Sequence, residues 1–239
     1  MTKENKDCVK KGLISIIIPA HNEEKYIKKT LNRIKDSTYQ DYEVIVVANG
    51  CNDSTESLVK KFFKKNINYF NSSFKSLSTA NVSKARNYGA KHSKGEILIF
   101  LDADILISKD TLEKIVLKFT KEYSLGATRF IPDTNKVIYW IIAKWHDFLH
   151  RTNIYKGFNG VVICHRDDFF KYGKFNEEKE ILELKDFKKR LVKRGKYIVI
   201  PTNTIVSMRR YERWGLFSSI GFWIKQWLKK QKEKYEVIR

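Results

Sequence analysis

The chain lacks the features that would place it in several common classes. Its 239 residues include only three cysteines, Cys8, Cys51 and Cys164. They are odd in number, widely scattered and without CxxC or Cys/His spacing, which excludes a disulfide framework and a structural zinc site, so free thiols are expected. No apolar run approaches the roughly eighteen residues of a membrane-crossing helix. The opening MTKENKDCVKKG is too charged and too poor in apolar residues for a secretory leader, so a cytoplasmic protein is expected. Internal repeats and low-complexity linkers are absent too, and one domain fits the length. Acidic residues are scarce: 27 Asp and Glu stand against 47 Lys and Arg, a formal charge of +20. Such an excess favours a polyanionic partner, whether nucleic acid, an anionic membrane surface or a phosphorylated substrate. No helix-turn-helix, zinc-finger or RNA-recognition signature accompanies the charge, so nucleic acid is not the expected partner.

What is present is an alternation of apolar runs and helical spacing. Residues 13–18 read as a strand ended by Pro19, and residues 23–35 carry helical spacing through Ile27, Leu31 and Ile34. A second strand is expected at 43–47, a helix at 54–65, a short third strand at 67–70, a helix at 79–92, a strand at 97–101 and a helix at 110–121. This order implies an α/β fold built on a parallel, right-handed, doubly wound sheet. Three loops then gather at one sheet edge: 19–24 (PAHNEE), 48–53 (ANGCND) and 102–104 (DAD).

The run EILIFLDAD, residues 96–104, carries the most chemistry. A continuous apolar strand ends in Asp102 and Asp104, at the carboxyl end where open α/β sheets bind ligands. In extended backbone the two carboxylates fall on one side and repel unless a cation lies near. Hard oxygens of this kind suit Mg2+ or Mn2+, which one or two carboxylates and substrate phosphates commonly hold. The plainer alternative is a solvated strand end.

Taken in order, ISIIIPAHNEEKYIKKTL, YEVIVVANGCNDST and SKARNYGAKHSKGEILIFLDAD resemble the glycosyltransferase family 2 domain and its GT-A fold. That resemblance implies a mostly parallel central sheet flanked by helices. It implies an inverting transferase that takes a sugar from a nucleotide diphosphate sugar, UDP- or GDP-linked, with Mg2+ or Mn2+ at the diphosphate. Carried over by position, Pro19, Ala20, Asn22 and Glu23 line the nucleoside pocket, with Asn49 and Asp53 in the second block. Arg86 approaches the nucleotide, Asp102 contacts ribose or metal, and Asp104 is the direct metal ligand. Each has a simpler role available: Pro19 ends a strand, Asn22 and Asp53 cap helices, and Arg86 is a solvated helix charge. Ala48 and Asn49 stand where relatives commonly carry Asp, which leaves the base open.

In the second half, GFNGVVICHR resembles the family segment near the acceptor, and EILELKDFKKRL the helix whose first turn presents the general base. Aligned on Arg190 and Leu191, Glu183 takes the first acidic position, Leu184 the second and Asp186 a later one, so Glu183 and Asp186 are the candidate bases. In SMRRYERWG, Arg209 and Arg210 resemble the basic pair that holds the diphosphate; guanidinium suits bidentate phosphate contact. Residues 1–12 form a tail, 13–215 the transferase domain (13–110 for the donor, 111–215 for the acceptor) and 216–239 an amphipathic basic and aromatic helix. Two stretches mix Trp, Phe and Ile with Lys and Arg. Residues 136–151 are expected to pack on the domain through Trp140 and Trp145, and the C-terminal stretch to meet an anionic membrane surface. The expected acceptor is a saccharide or lipid-linked molecule, and the expected location the cytoplasm, peripheral on the membrane. The alternative is a degenerate relative that binds nucleotide or lipid without turnover, suggested by Ala48 and Leu184.

Overall fold

The computed structural model describes residues 10–68, 71–152, 158–179, 183–215, 218–219 and 221. Strands β1 (Lys10–Ala20), β2 (Tyr42–Asn49), β3 (Asn71–Leu77) and β4 (Gly95–Leu101) are separated by helices α1 (Ile27–Lys35), α2 (Thr55–Lys65) and α3 (Val82–Lys91). After the short β5 (Leu106–Ile107) come α4 (Thr111–Lys118), β6 (Tyr123–Pro132), α5 (Val137–Arg151), β7 (Val161–His165), α6 (Arg166–Tyr172), α7 (Glu183–Leu191), β8 (Lys196–Val206) and α8 (Arg209–Trp214). One eight-stranded sheet runs in the order β3-β2-β1-β4-β7-β6-β8-β5. Strand β1 pairs in parallel with β2 and β4, and β3 in parallel with β2. Strand β7 runs antiparallel to both β4 and β6, while β6 and β8 are parallel. The carboxyl ends of β1, β2, β4, β6 and β8 and the start of β7 therefore share one edge.

The near-continuous apolar runs follow from burial on both faces. Ile16 and Ile18 of β1 join the cluster beneath α1, α2 and α4, whereas Ile17 joins Ile45, Val47, Leu98 and Phe100 against α3, α6 and α7. Helix α3 lies so close to β1 that a Cβ at Gly89 would sit 2.4 Å from the Cγ2 atom of Ile17.

Several sequence expectations need correction. The third strand is Asn71–Leu77 rather than 67–70, because its ladder with β2 begins at the Glu43–Asn71 pair. Helix α1 starts at Ile27 rather than at 23, since the backbone of Glu23 accepts from Tyr26 and Ile27 in a preceding turn. The sheet is mostly parallel, as the resemblance implies, with β7 and the short β5 as its antiparallel strands. Trp140 and Trp145 do not pack as core: both are exposed, and α5 turns Tyr139, Ala143 and His150 inward instead. Most of the expected C-terminal helix, 216–239, lies outside the described residues.

Candidate active site

At the carboxyl edge the loops after β1 and β2 are laced together by side-chain bonds. Asn22 adopts the left-handed conformation at φ 54°, which turns its Oδ1 to accept from the Asn52 amide at 2.8 Å. Glu23 N donates to Thr55 Oγ1, and Asp53 accepts from the amides of Glu24 and Thr55. Those bonds, acting against the burial that would raise it, hold the Asp53 carboxyl below its ordinary range. Asn49 Oδ1 accepts from the Asn81 amide, tying the second loop to the start of α3. Asn22 and Asp53 thus shape the loops by their own bonds, while Pro19 and Ala20 end β1 beside Val47 and Ala48.

A second layer gathers charges far apart in sequence. Arg86, 4% exposed on α3, donates to Asp102 Oδ1 at 3.0 Å and to Glu183 Oε1 at 2.9 Å. Its guanidinium lies 5.3 Å from the Phe175 ring, and neighbouring Asn87 holds the Phe175 backbone through both donor and acceptor bonds. The Asp102 amide donates to Gly160 O at 2.9 Å. Gly160 sits at φ 77°, and a Cβ there would meet Ile105 at 2.6 Å and Asp102 Oδ2 at 3.2 Å, so this position requires glycine. Thr30 of α1 donates to Ala103 O, fixing the DAD turn from the other face.

The third layer is centred on Arg209 at the start of α8. Its Nη2 donates to Asp104 Oδ2 at 2.8 Å and lies 3.8 Å from Glu23 Oε1. The guanidinium stacks over Tyr26 at 4.2 Å. Burial first, then the charge of Asp104, raises the Glu23 carboxyl to about 8; Arg209 opposes the rise. Glu23 Oε2, Arg86 Nε and Arg209 Nη1 are buried atoms with no hydrogen-bond partner, although each belongs to a side chain paired through another atom. Such atoms are costly when left unsatisfied, and here a water, an ion or a ligand can complete the shell.

The two candidate bases part company. Glu183 reaches Asp102 through Arg86, whereas Asp186 binds Lys179 and, at 3.1 Å, Arg190. Those cations outweigh burial and hold the Asp186 carboxyl below its ordinary range. Leu184 packs against the core cluster under α7. Arg210 lies on α8, but its side chain is outside the described part. Sequence reasoning did not single out Tyr26, Phe175, Asn87 or Gly160; only Gly160 carried a signal, as the glycine opening a strand.

Among the described residues no three His, Cys, Asp or Glu side chains gather into a set that could hold a metal alone. Asp102 and Asp104 still fit Mg2+ or Mn2+, because a metal of this type keeps phosphate and water in its remaining positions.

Comparisons bear on this geometry. A family model described as Glycosyl transferase family 2 matches residues 15–178. The poly(ribitol-phosphate) beta-N-acetylglucosaminyltransferase TarS of Staphylococcus aureus is 35% identical over 103 residues, 41% of this chain and 17% of that protein. Glycosyltransferase GlyA of Streptococcus pneumoniae is 27% identical over 132 residues, 54% of this chain and 18% of that protein. The matched stretch is thus under a fifth of either relative. The crystal structure of S. aureus TarS 1–349 with UDP-GlcNAc superposes with a TM-score of 0.64 at 20% identity, covering 82% of this chain and 58% of that one. The mannosyltransferase PcManGT of Pyrobaculum calidifontis, in complex with GDP-Man and Mn2+, gives 0.69 at 18% identity, covering 89% and 64%.

Proposed function

Because this chain belongs to glycosyltransferase family 2 and has the GT-A fold, we propose that it is a metal-dependent, inverting transferase. It moves a sugar from a nucleotide diphosphate sugar to a lipid-linked or membrane-proximal acceptor at the cytoplasmic side of a membrane. The observation that carries the reading is the convergence of orphaned Glu23, Arg86 and Arg209 atoms on the paired Asp102 and Asp104. Around two carboxylates, the unused atoms Glu23 Oε2, Arg86 Nε and Arg209 Nη1 suit a charged, hydrogen-bonding ligand.

The loops of Pro19, Ala20, Asn22, Asn49 and Asp53 seat the nucleoside. Asp102 and Asp104 would hold the divalent cation, which when bound supplies Lewis-acid stabilisation of the leaving diphosphate. Arg209, with Arg210 beside it in sequence, adds guanidinium contacts to the same oxygens. Glu183, with Oε1 engaged by Arg86, takes the acceptor hydroxyl proton on Oε2. The acceptor oxygen forms its bond to the anomeric carbon as the bond to the diphosphate oxygen breaks, and the nucleoside diphosphate departs. Arg86 spans Glu183 and Asp102, so one rigid fork fixes the separation of base and leaving group. Asp186, held by its own cations, is the weaker base. The relation to TarS, whose name places it on poly(ribitol-phosphate), supports a phosphate-bearing acceptor.

The test is a thermal-shift series with UDP, GDP and their sugars, with and without Mn2+, on wild type and Asp104→Ala. A ligand that binds only the native state raises apparent stability by mass action. Wild type is expected to gain a Mn2+-dependent shift with one base, and Asp104→Ala to lose it together with sugar transfer. Equal metal-dependent turnover in both proteins would overturn the reading.

A further inference from the structure

Helix α5 leaves an uncovered apolar stripe. Val137, Ile138, Ile141, Trp145 and Phe148 are exposed, with Val137 at 72%, Ile141 at 57% and Trp145 at 62%. At about 100° per residue, these five positions fall within roughly 100° of helix surface. Lys144 and Arg151 border one edge. Asp147, the helix's acid, is half-buried and turned to Arg129 and Arg151. Contiguous apolar surface of this kind, rimmed by charge, marks an interaction site rather than scattered surface residues.

Charge decides between occupants. A second copy seated on this stripe would bring two chains of +20 together, which self-repulsion opposes. An anionic lipid surface meets both features: Trp, Phe and Ile enter the boundary of headgroups and acyl chains while Lys and Arg face lipid phosphate. The sequence beyond α8 repeats the theme with Lys225, Lys229, Lys230, Lys232 and Lys234. Helix α8, which precedes that stretch in sequence, lies beside α5, because Lys136 pairs with Glu212 at 2.9 Å and Tyr139 meets the Tyr211 ring. At 15 residues α5 is too short to span a bilayer, and no helix among the described residues is long and apolar enough to do so.

We propose that α5 is a membrane-docking helix that lies in the plane of an anionic lipid surface through the Val137, Ile141, Trp145 and Phe148 stripe. Its position also orients the site. The N-terminal end is tied to α8, which carries Arg209 onto Asp104; farther along, His146 contacts Asn159, next to the Gly160 carbonyl that receives the Asp102 amide. Docking therefore holds the carboxyl edge of the sheet next to the bilayer. The inference goes beyond the transferase reading and is tested without turnover.

The experiment is co-sedimentation of the full chain with vesicles of phosphatidylcholine alone and with added phosphatidylglycerol. Wild type is expected to pellet with the anionic vesicles, and Ile141→Glu combined with Trp145→Glu to weaken partitioning by about tenfold or more. The melting temperature and the nucleotide thermal shift of that variant should match wild type, since both positions are exposed. Wild type remaining in the supernatant with anionic vesicles would overturn the proposal. So would wild-type-like partitioning of the α5 variant while Trp223→Glu with Trp227→Glu abolishes it, which assigns the anchor to the C-terminal stretch. A wild-type dimer that the α5 variant dissociates would assign the stripe to a second copy and overturn it equally. Failure of the donor reading would appear separately, in the lipid-free nucleotide shift.

Discussion

Arg86 holds two carboxylates that lie 16 and 97 positions away in sequence. Burial alone works to deprotonate it, yet Asp102 and Glu183 outweigh that cost and raise its affinity for the proton. Removing it strands two carboxylates, so Arg86→Ala is expected to destabilise the fold by about 3–5 kcal/mol and to abolish transfer. Arg86→Lys should recover part of the stability but little turnover, because a point charge cannot fork between two acids; chemical denaturation and a transfer assay read the two effects separately. Glu23 behaves oppositely. Its folded-state value of about 8 exceeds the ordinary 4.5, so the folded state holds the proton more tightly than the unfolded chain does. The stability it confers is fully present below pH 4.5 and is lost as pH rises through 8, a change on the order of a few kcal/mol. Unfolding measured from pH 5 to 9 without ligand should show that decline, and Glu23→Gln should flatten it.

At the scale of elements, α5 shows what periodicity can and cannot convey. Its apolar spacing was visible in KVIYWIIAKWHDFLHR, but spacing reveals that a face exists, not whether anything covers it. The inward face carries its own titration. Burial, with a smaller contribution from Lys188, lowers His146 to about 4; burial, then His146 and Lys188, lowers His150 to about 2. Both histidines are neutral when folded, while the unfolded chain protonates them near 6.5. Their stabilising contribution is therefore complete above pH 6.5 and falls away as pH drops toward 4, by a few kcal/mol. Circular dichroism melts across pH 7 to 4 should show the loss, and His146→Asn should reduce its steepness. Strands β6 and β8 escaped sequence reading for a related reason. YSLGATRFIP and KYIVIPTNTIV each include a proline, which argues against a central strand.

For the whole molecule, the donor half was legible because its chemistry is local. Each block joins a strand to its own loop, as in β4 with Asp102 and Asp104, and β1, flanked by β2 and β4, sets the three loops side by side. The partnership of Glu23 with Arg209, or of Arg86 with Glu183, depends on the sheet bringing distant segments to one edge, and no window of sequence contains it. Opposed titrations also set a working range for the molecule: histidines penalise acid and Glu23 penalises alkali, so ligand-free stability should peak near neutrality.

The reversed course of β7 has a practical corollary. Since β6 ends and β7 begins on the same rim, residues 133–160 form an excursion whose two roots are adjacent in the sheet. Such a loop of chain, α5 included, is a natural cassette: grafting a different one between those roots, with Asp133, Lys136 and Gly160 kept, is expected to change the surface this face presents while the loops after β1, β2 and β4 keep their bonds.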